Sequence, residues 1–291
     1  MTSRILEFPL TPRRLLLTAA LLAAAAFIPY LPFLPLPPIS DDYLQIGLGR
    51  EFISASGLSR LAEDALYRTR ATSLVLTRLV EAVAGTDIFC HRLVSVFLHL
   101  CNGLLIFACG AWPRLGYRRS FVAAMAFLLI ASHQEAVIWV AAVHELLVFG
   151  FLLLCLLGWV QWLRLRRAGW LAVTAIAFVL ALYSKESAAV LPALLAGLWL
   201  CEGSRRRLDL SFIALALAAT LAYTWAVFAA SEHHLHLHDG TFSLHAPFLA
   251  NLLRTLWRIY LPWGITALAL LACKRQFAPA VAALIFSVIA L

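Results

Sequence analysis

Two adjacent acids, Asp41 and Asp42, follow Pro37-Pro38-Ile39-Ser40, where an extended chain leaves a long apolar segment and neighbouring side chains diverge. A carboxylate at a desolvated edge holds a proton more readily than one in water, which suits a general base acting on a hydroxyl nucleophile. Asp41, nearer the proline-rich exit, is the expected base. Asp42 is its expected supporting neighbour, capping the next turn or binding the acceptor. A plain helix N-cap ahead of Tyr43-Leu44-Gln45-Ile46 is the other reading of the pair, and the two roles can coexist. Lys185-Glu186 sits in a tight turn between Tyr183 and the block containing Pro192. Lys185 can hold a phosphate as a point charge with Glu186 orienting it, or the two can form a snorkelling, salt-bridged turn. Arg68, Arg70, Arg254 and Arg258 carry the same two readings, and Arg254 with Arg258 at i and i+4 can clamp one anion together. His133 and Glu135 lie between the third and fourth apolar blocks, and Glu145 lies inside the fourth, as further polar groups on the same face. His233-His234-Leu235-His236-Leu237-His238-Asp239 puts alternate imidazoles on one face if extended. No Cys or Glu completes a ligand set, so neither a metal nor another cofactor is expected.

The elements that must position these groups follow from composition. A chain of 291 residues that is 63% hydrophobic and 13% charged, with mean hydropathy +0.89, has too much apolar surface for one water-soluble core. An all-α polytopic membrane fold is expected. Apolar stretches of helix-spanning length exclude a transmembrane barrel, whose strands would alternate in short segments. Apolar blocks near 15 to 36, 92 to 111, 118 to 132, 136 to 162, 168 to 183, 187 to 201, 209 to 230, 261 to 273 and 277 to 291 predict about nine spans in a single membrane domain, 1 to 291. The N-terminal stretch has the polarity of a secretory signal, yet runs long enough for an uncleaved first span. The last block reaches the C-terminus without a polar tail, which reads as a shortened chain.

Arginines collect in alternate connections, at 4 to 14, 114 to 119, 164 to 167 and 205 to 207, with Lys274 and Arg275, and mark the cytoplasmic side. Membrane orientation therefore accounts for the net charge of +8, and no nucleic-acid partner is expected. The long connections 37 to 91 and 231 to 260 are then exterior. Each contains an interfacial helix pattern: Val75, Leu76, Leu79, Val80 and Val83 with Arg78 and Glu81 facing away, and Leu252, Leu253, Leu256, Trp257 and Tyr260 around Arg254 and Arg258. The six cysteines show no CxxC pair and read as small core residues.

Several elements occur in a telling order: Asp41-Asp42, Tyr67-Arg68, His91-Arg92-Leu93-Val94 through His99-Leu100-Cys101-Asn102, His133-Gln134-Glu135-Ala136-Val137-Ile138-Trp139, then Ser184-Lys185-Glu186-Ser187 with Pro192. Over about residues 37 to 200, and more loosely 252 to 263, the chain resembles the membrane core of C-type glycosyltransferases (GT-C). It is nearest to the polyprenyl-phosphate-sugar-dependent O-mannosyltransferases with transmembrane and tetratricopeptide-repeat regions and their bacterial relatives. The resemblance implies an inverting, metal-independent transfer of a sugar from a lipid-linked donor to a protein, glycan or lipid acceptor. An acid of the first exterior loop would be the base and basic residues would hold the leaving phosphate, at the periplasmic face of a bacterial inner membrane. Two other classes compete: a non-catalytic binder or transporter of a lipid-linked substrate, and an inactive scaffold left by truncation.

Overall fold

Thr11 accepts a hydrogen bond from the Arg14 amide at 3.4 Å and Pro12 takes the first helical position, so helix α1 (Pro12–Phe27) begins at once after the basic N-terminal stretch. Asp64 and Asp87 open α3 (Ala65–Ala84) and α4 (Ile88–Ala108) in the same way, accepting from Leu66 N at 2.8 Å and Phe89 N at 3.0 Å. Between α1 and α3 lies α2 (Asp42–Phe52). The computed structural model describes residues 11–54, 59–61, 64–203, 206–229 and 247–260. It continues through α5 (Tyr117–Leu129), the short α6 (Gln134–Ile138), α7 (Val143–Leu165), α8 (Ala168–Leu182), α9 (Leu191–Glu202), α10 (Arg207–Ala229) and α11 (Phe248–Tyr260). Among the described residues there is no strand.

Four segments are long and apolar enough to cross a bilayer: Pro12–Phe33, Ile88–Ala111, Val140–Leu165 and Arg207–Val227. A fifth is a bent pair, Tyr117–Leu129 with Ala131–Ile138, turned by 56°. The expected nine spans are thus four or five among the described residues. The boundary expected between blocks at 132 to 136 falls elsewhere, because the polar Ser132–Glu135 stretch is folded into short helical turns against the bundle and the long helix restarts only at Val140. Helices α8, with 15 residues, and α9, with 12, are each shorter than the roughly 17 residues a span needs. The blocks near 261 to 273 and 277 to 291, with Cys273, lie outside the described residues.

Trp159, Cys155, Ala177, Ala181, Leu191 and Leu195 form the fully buried centre of the α7, α8 and α9 packing. Gly158 permits it: a Cβ there would stand 2.8 Å from Thr174 Oγ1 and 3.2 Å from the Trp170 carbonyl. Outside this apolar centre the surface is apolar too, and individual polar side chains are buried. Leu16, Val122, Ile176, Leu200, Leu215 and Trp225 are exposed, while Asp42, Arg92, Ser95, His99, Ser120, Thr174, Ser184 and Asp209 are completely buried. Helix α3, in the first long loop, also exposes apolar residues. Its Val75, Leu79 and Val83 point outward. Its Ser73 and Thr77 meet Gln45 of α2 at 3.5 and 3.2 Å, and Glu81 pairs with Arg50 and Arg78. Of the stripe expected from the sequence, Val75, Leu79 and Val83 are exposed, and the opposite side packs on α2 through Tyr67, Ala71 and Leu74 as well as through these polar contacts.

Connections carrying arginine meet at one end. Arg114 Nε lies 3.2 Å from Glu202, which also accepts from Trp112 Nε1 at 2.9 Å. Arg166 Nη1 donates to the buried Asp209 at 2.7 Å beside Trp162 Nε1 at 3.0 Å. The opposite end holds Asp41, Asp42 and the turns at 130 to 142 and 183 to 190.

Candidate functional site

After α1 the chain makes a 3₁₀ turn at Leu31–Phe33 and runs through Leu34–Pro38, whose prolines supply no amide donor and whose carbonyls find no regular partner. Arg92, one turn into α4 and completely buried, provides the missing donors. Its guanidinium donates to the carbonyls of Pro37 at 2.7 Å, Ile138 at 3.0 Å, and Leu36. Facing it at 3.6 Å is Asp42, also without exposed surface, which accepts from Ile39 N at 2.8 Å and Ala141 N at 3.3 Å. Asp42 is therefore a tether between the exit of α1 and the entry of α7. Asp41 sits at the N-cap position, exposed, with Ser40 Oγ donating to its Oδ1 at 2.9 Å from a left-handed φ of 46°. One residue separates a committed carboxylate from an accessible one. Asp41 takes the cap position expected of the pair, but its side chain makes no capping bond.

Helix α3 is clipped to the turn after α8. Thr72 N donates to the Tyr183 carbonyl at 3.2 Å, Thr72 and Ser184 hydroxyls meet at 2.6 Å, and Arg70 Nη1 reaches Glu186 at 3.0 Å. Lys185 Nζ is bonded to Glu145, in the first turn of α7. The expectation that Glu186 orients Lys185 is corrected: Glu145 holds Lys185 and Glu186 holds Arg70, because the extended backbone at Lys185 (φ −166°, ψ 151°) sends the two side chains apart.

Glu145 also lines a cavity of about 500 Å³. Its other walls include His99 and Asn102 of α4, Phe127 of α5, His133 and Glu135 of the bent segment, and Trp139. No known protein family, characterised protein or solved structure matches this chain.

His133 and Glu135 thus stand where a ligand in the cavity would meet them, with the His133 ring 4.5 Å from Phe127 and 5.9 Å from His99. Neither Asp41 nor Asp42 lines that cavity. Asp42 comes closest in connectivity, through its bond to Ala141 beside Ala142. Arg68 is buried and donates from Nε to the Leu61 carbonyl at 2.8 Å, bracing the first loop. Its neighbour Tyr67 donates to Glu51 at 2.9 Å and accepts from Arg60 at 2.7 Å. The Tyr67 hydroxyl and Arg60 hold the Glu51 carboxyl below its usual range, while burial and the Glu51 charge push Tyr67 up. Arg254 is exposed on α11, between the outward Leu253 and Trp257, and makes no ion pair among the described residues. The Arg258 side chain and the histidine run at 233 to 245 lie outside the described residues.

Sequence reasoning passed over His144 and gave Arg92 no separate role. Both carry a signal in retrospect: an ionisable side chain within an apolar block is expensive unless a partner waits for it. Arg92 interrupts the apolar segment Ile88–Ala111, and His144-Glu145 stands near the start of Val140–Leu165.

Proposed function

We propose that the chain is a membrane glycosyltransferase of GT-C type, moving a sugar from a polyprenyl-phosphate donor to an acceptor hydroxyl at the end of the bundle opposite the arginine-rich connections. The observation that supports it is the pairing of Arg70 with Glu186 and of Lys185 with Glu145 next to a cavity whose largely apolar wall carries histidines and carboxylates. Both cations are held by carboxylates that an incoming phosphate can replace, so the site can exchange one anion for another at little cost in unpaired charge. Lys185 and Arg70 then hold the donor phosphate. Arg254 and Arg258 add positive charge on α11 near the headgroups, while Arg68 stiffens the loop carrying Tyr67.

In the reaction, the acceptor oxygen bonds to the anomeric carbon as the bond from that carbon to the phosphate oxygen breaks, with inversion. The acceptor proton passes to Asp41, and polyprenyl phosphate leaves with the electron pair. Asp42 fixes the backbone that presents Asp41, and Glu135 with His133 orients the sugar. The arginine-rich end faces the cytoplasm, which puts the site on the periplasmic face of a bacterial inner membrane.

Proteoliposomes supplied with tritiated polyprenyl-phosphate mannose and a membrane extract as acceptor test the proposal. Wild type should transfer label, and Asp41→Asn should lose about 10²- to 10⁴-fold in rate while still binding donor. Full activity in Asp41→Asn removes the proposed base. A second reading, binding or transport without transfer, is favoured by the depth of the polar lining: Asn102 stands 14 residues into α4, about 21 Å along it. Saturable donor binding with no transfer to any acceptor fraction would select it.

A further inference from the structure

At the end of the bundle that gathers the arginine-rich connections, cations outnumber the acids that could match them. Among the described residues there, Arg114 Nε lies 3.2 Å from Glu202 and Arg166 Nη1 lies 2.7 Å from Asp209, which engages both acids. Arg118, Arg119, Arg164, Arg167, Arg206 and Arg207 make no ion pair among the described residues. Two of these surplus guanidiniums are fixed by neutral groups instead. Arg119 Nη1 donates to the Arg114 carbonyl and Arg164 Nη1 to the Ala111 carbonyl, each at 3.1 Å. Both carbonyls belong to the turn between α4 and α5, three residues apart, a reach of at most about 11 Å along the chain. A carbonyl orients a guanidinium without neutralising it. Arg119 and Arg164 are both exposed, so each keeps its charge and further N–H donors for a partner outside the protein.

The surroundings of the turn say what kind of partner that is. Trp112, Tyr117 and Trp170 are half-buried at this level, and such amphipathic rings gather where lipid headgroups begin. From Arg119, one face of α5 continues through Val122, Ala123 and Ala126, at i+3, i+4 and i+7, and all three are exposed. Leu165, beside Arg164, is exposed as well. Cationic forks therefore stand at the head of a lipid-facing strip whose small alanines leave room for a chain. A phosphodiester with net negative charge accepts from the guanidiniums while its acyl chain runs along that strip. A zwitterionic lipid fits less well, because its ammonium needs a carboxylate and both Glu202 and the completely buried Asp209 are already engaged. We infer that Arg119 and Arg164 form a site for the head group of an anionic phospholipid, with an acyl chain along Val122, Ala123 and Ala126. The site lies at the other end of the bundle from the cavity and holds whatever reaction the cavity supports.

The test titrates the detergent-solubilised full chain with dioleoyl phosphatidylglycerol at about 0.15 M ionic strength and reads the first lipid adduct by native mass spectrometry. Phosphatidylglycerol should bind about tenfold tighter than dioleoyl phosphatidylethanolamine. One basic side chain beside an anionic lipid is typically worth about fivefold in affinity, so Arg119→Gln/Arg164→Gln should lose about 25-fold for phosphatidylglycerol and little for phosphatidylethanolamine. Its glutamine amides can still donate to the two carbonyls, and without lipid it should melt like wild type. Arg206→Gln/Arg207→Gln removes the same charge from a neighbouring connection and should lose less than about threefold, because charges off the site are screened. Equal affinity for the two lipids overturns the inference, and so do equal losses in the two double variants, which would leave only diffuse attraction to a basic surface. sn-Glycerol 3-phosphate in roughly tenfold excess should leave the lipid bound; displacement refutes the acyl-chain contact and with it the lipid as occupant. If the first double variant melts unlike wild type, Ala123→Trp decides in its place, since it blocks the α5 strip and removes no charge: it should lose about tenfold, and unchanged affinity overturns the inference.

Discussion

Exchanging either acid of the Asp41-Asp42 pair for its amide separates two kinds of residue that look alike in sequence. Asp42 has no exposed surface, opposes Arg92 at 3.6 Å and accepts two backbone amides, from Ile39 and Ala141. Asp42→Asn deletes the charge that compensates a completely buried guanidinium, and one of its two acceptor oxygens becomes a donor facing an amide. Removing one partner of a buried pair costs about 3 to 5 kcal/mol. The Arg92 bonds to the carbonyls of Ile138, Leu36 and Pro37 retain part of its solvation, so the lower half of that range is expected. Asp41→Asn loses only an exposed contact with Ser40, and its stability should stay within about 0.5 kcal/mol of wild type. Unfolding in a denaturing detergent series, followed by tryptophan fluorescence on purified protein, measures both. A cycle through Arg92→Met and the double variant should show coupling of more than 1 kcal/mol in order of magnitude. If Asp42→Asn is as stable as wild type, or the two positions in the cycle are additive, the assignment of Asp42 as a tether is refuted.

Two further outcomes follow from the loop and the ends of the bundle. Arg50, and after it burial and Arg78, act on Glu81, with the net effect of lowering its pKa below the ordinary value of 4.5. A depressed folded-state pKa gives stability that is whole above the unfolded value. It is then lost as pH falls through the folded one, so thermal stability should be flat from neutral pH to about 5 and drop below it, with Glu81→Gln removing that part of the drop. In a cysteine-free background, Thr86→Cys should react with an impermeant maleimide in intact cells and Arg206→Cys should not; the reverse result inverts the orientation and the side of the site.

Much of the fold was legible because its signals are local. Helix α3 shows the expected apolar stripe at Val75, Leu79 and Val83. The length of Pro12–Phe33, Ile88–Ala111 and Arg207–Val227 is set by runs of apolar residues. Partners are set by tertiary contacts, and these were not legible. Glu145 holds Lys185 from 40 residues away and Arg70 holds Glu186 from 116, while the nearest-neighbour reading paired Lys185 with Glu186. The cavity was invisible for the same reason. Its walls come from α4, α5, the bent segment and α7, and of them His133, Glu135 and Glu145 had been singled out as polar groups on one face. The polar Ser132–Glu135 stretch marked a break, but not its form, since Ile130 and Trp139 leave the helical region without any glycine or proline to announce the two turns.

The outward apolar stripe of α3 ties the loop to the proposed chemistry. Val75, Leu79 and Val83 are exposed, while Tyr67, Ala71 and Leu74 pack on α2 together with the polar contacts of Ser73, Thr77 and Glu81. An exposed stripe of this kind is favourable where it meets lipid. The same helix carries Arg70 to Glu186 and Thr72 to Ser184, so on the proposed reading the level at which α3 meets lipid sets the height of the Arg70 and Lys185 pair. A lipid phosphate resides at that height by the geometry of the bilayer itself, whereas a soluble phosphate would have to be drawn to it. On the proposed function, the loop therefore favours a donor that arrives laterally, with its charged group already level with Arg70 and Lys185.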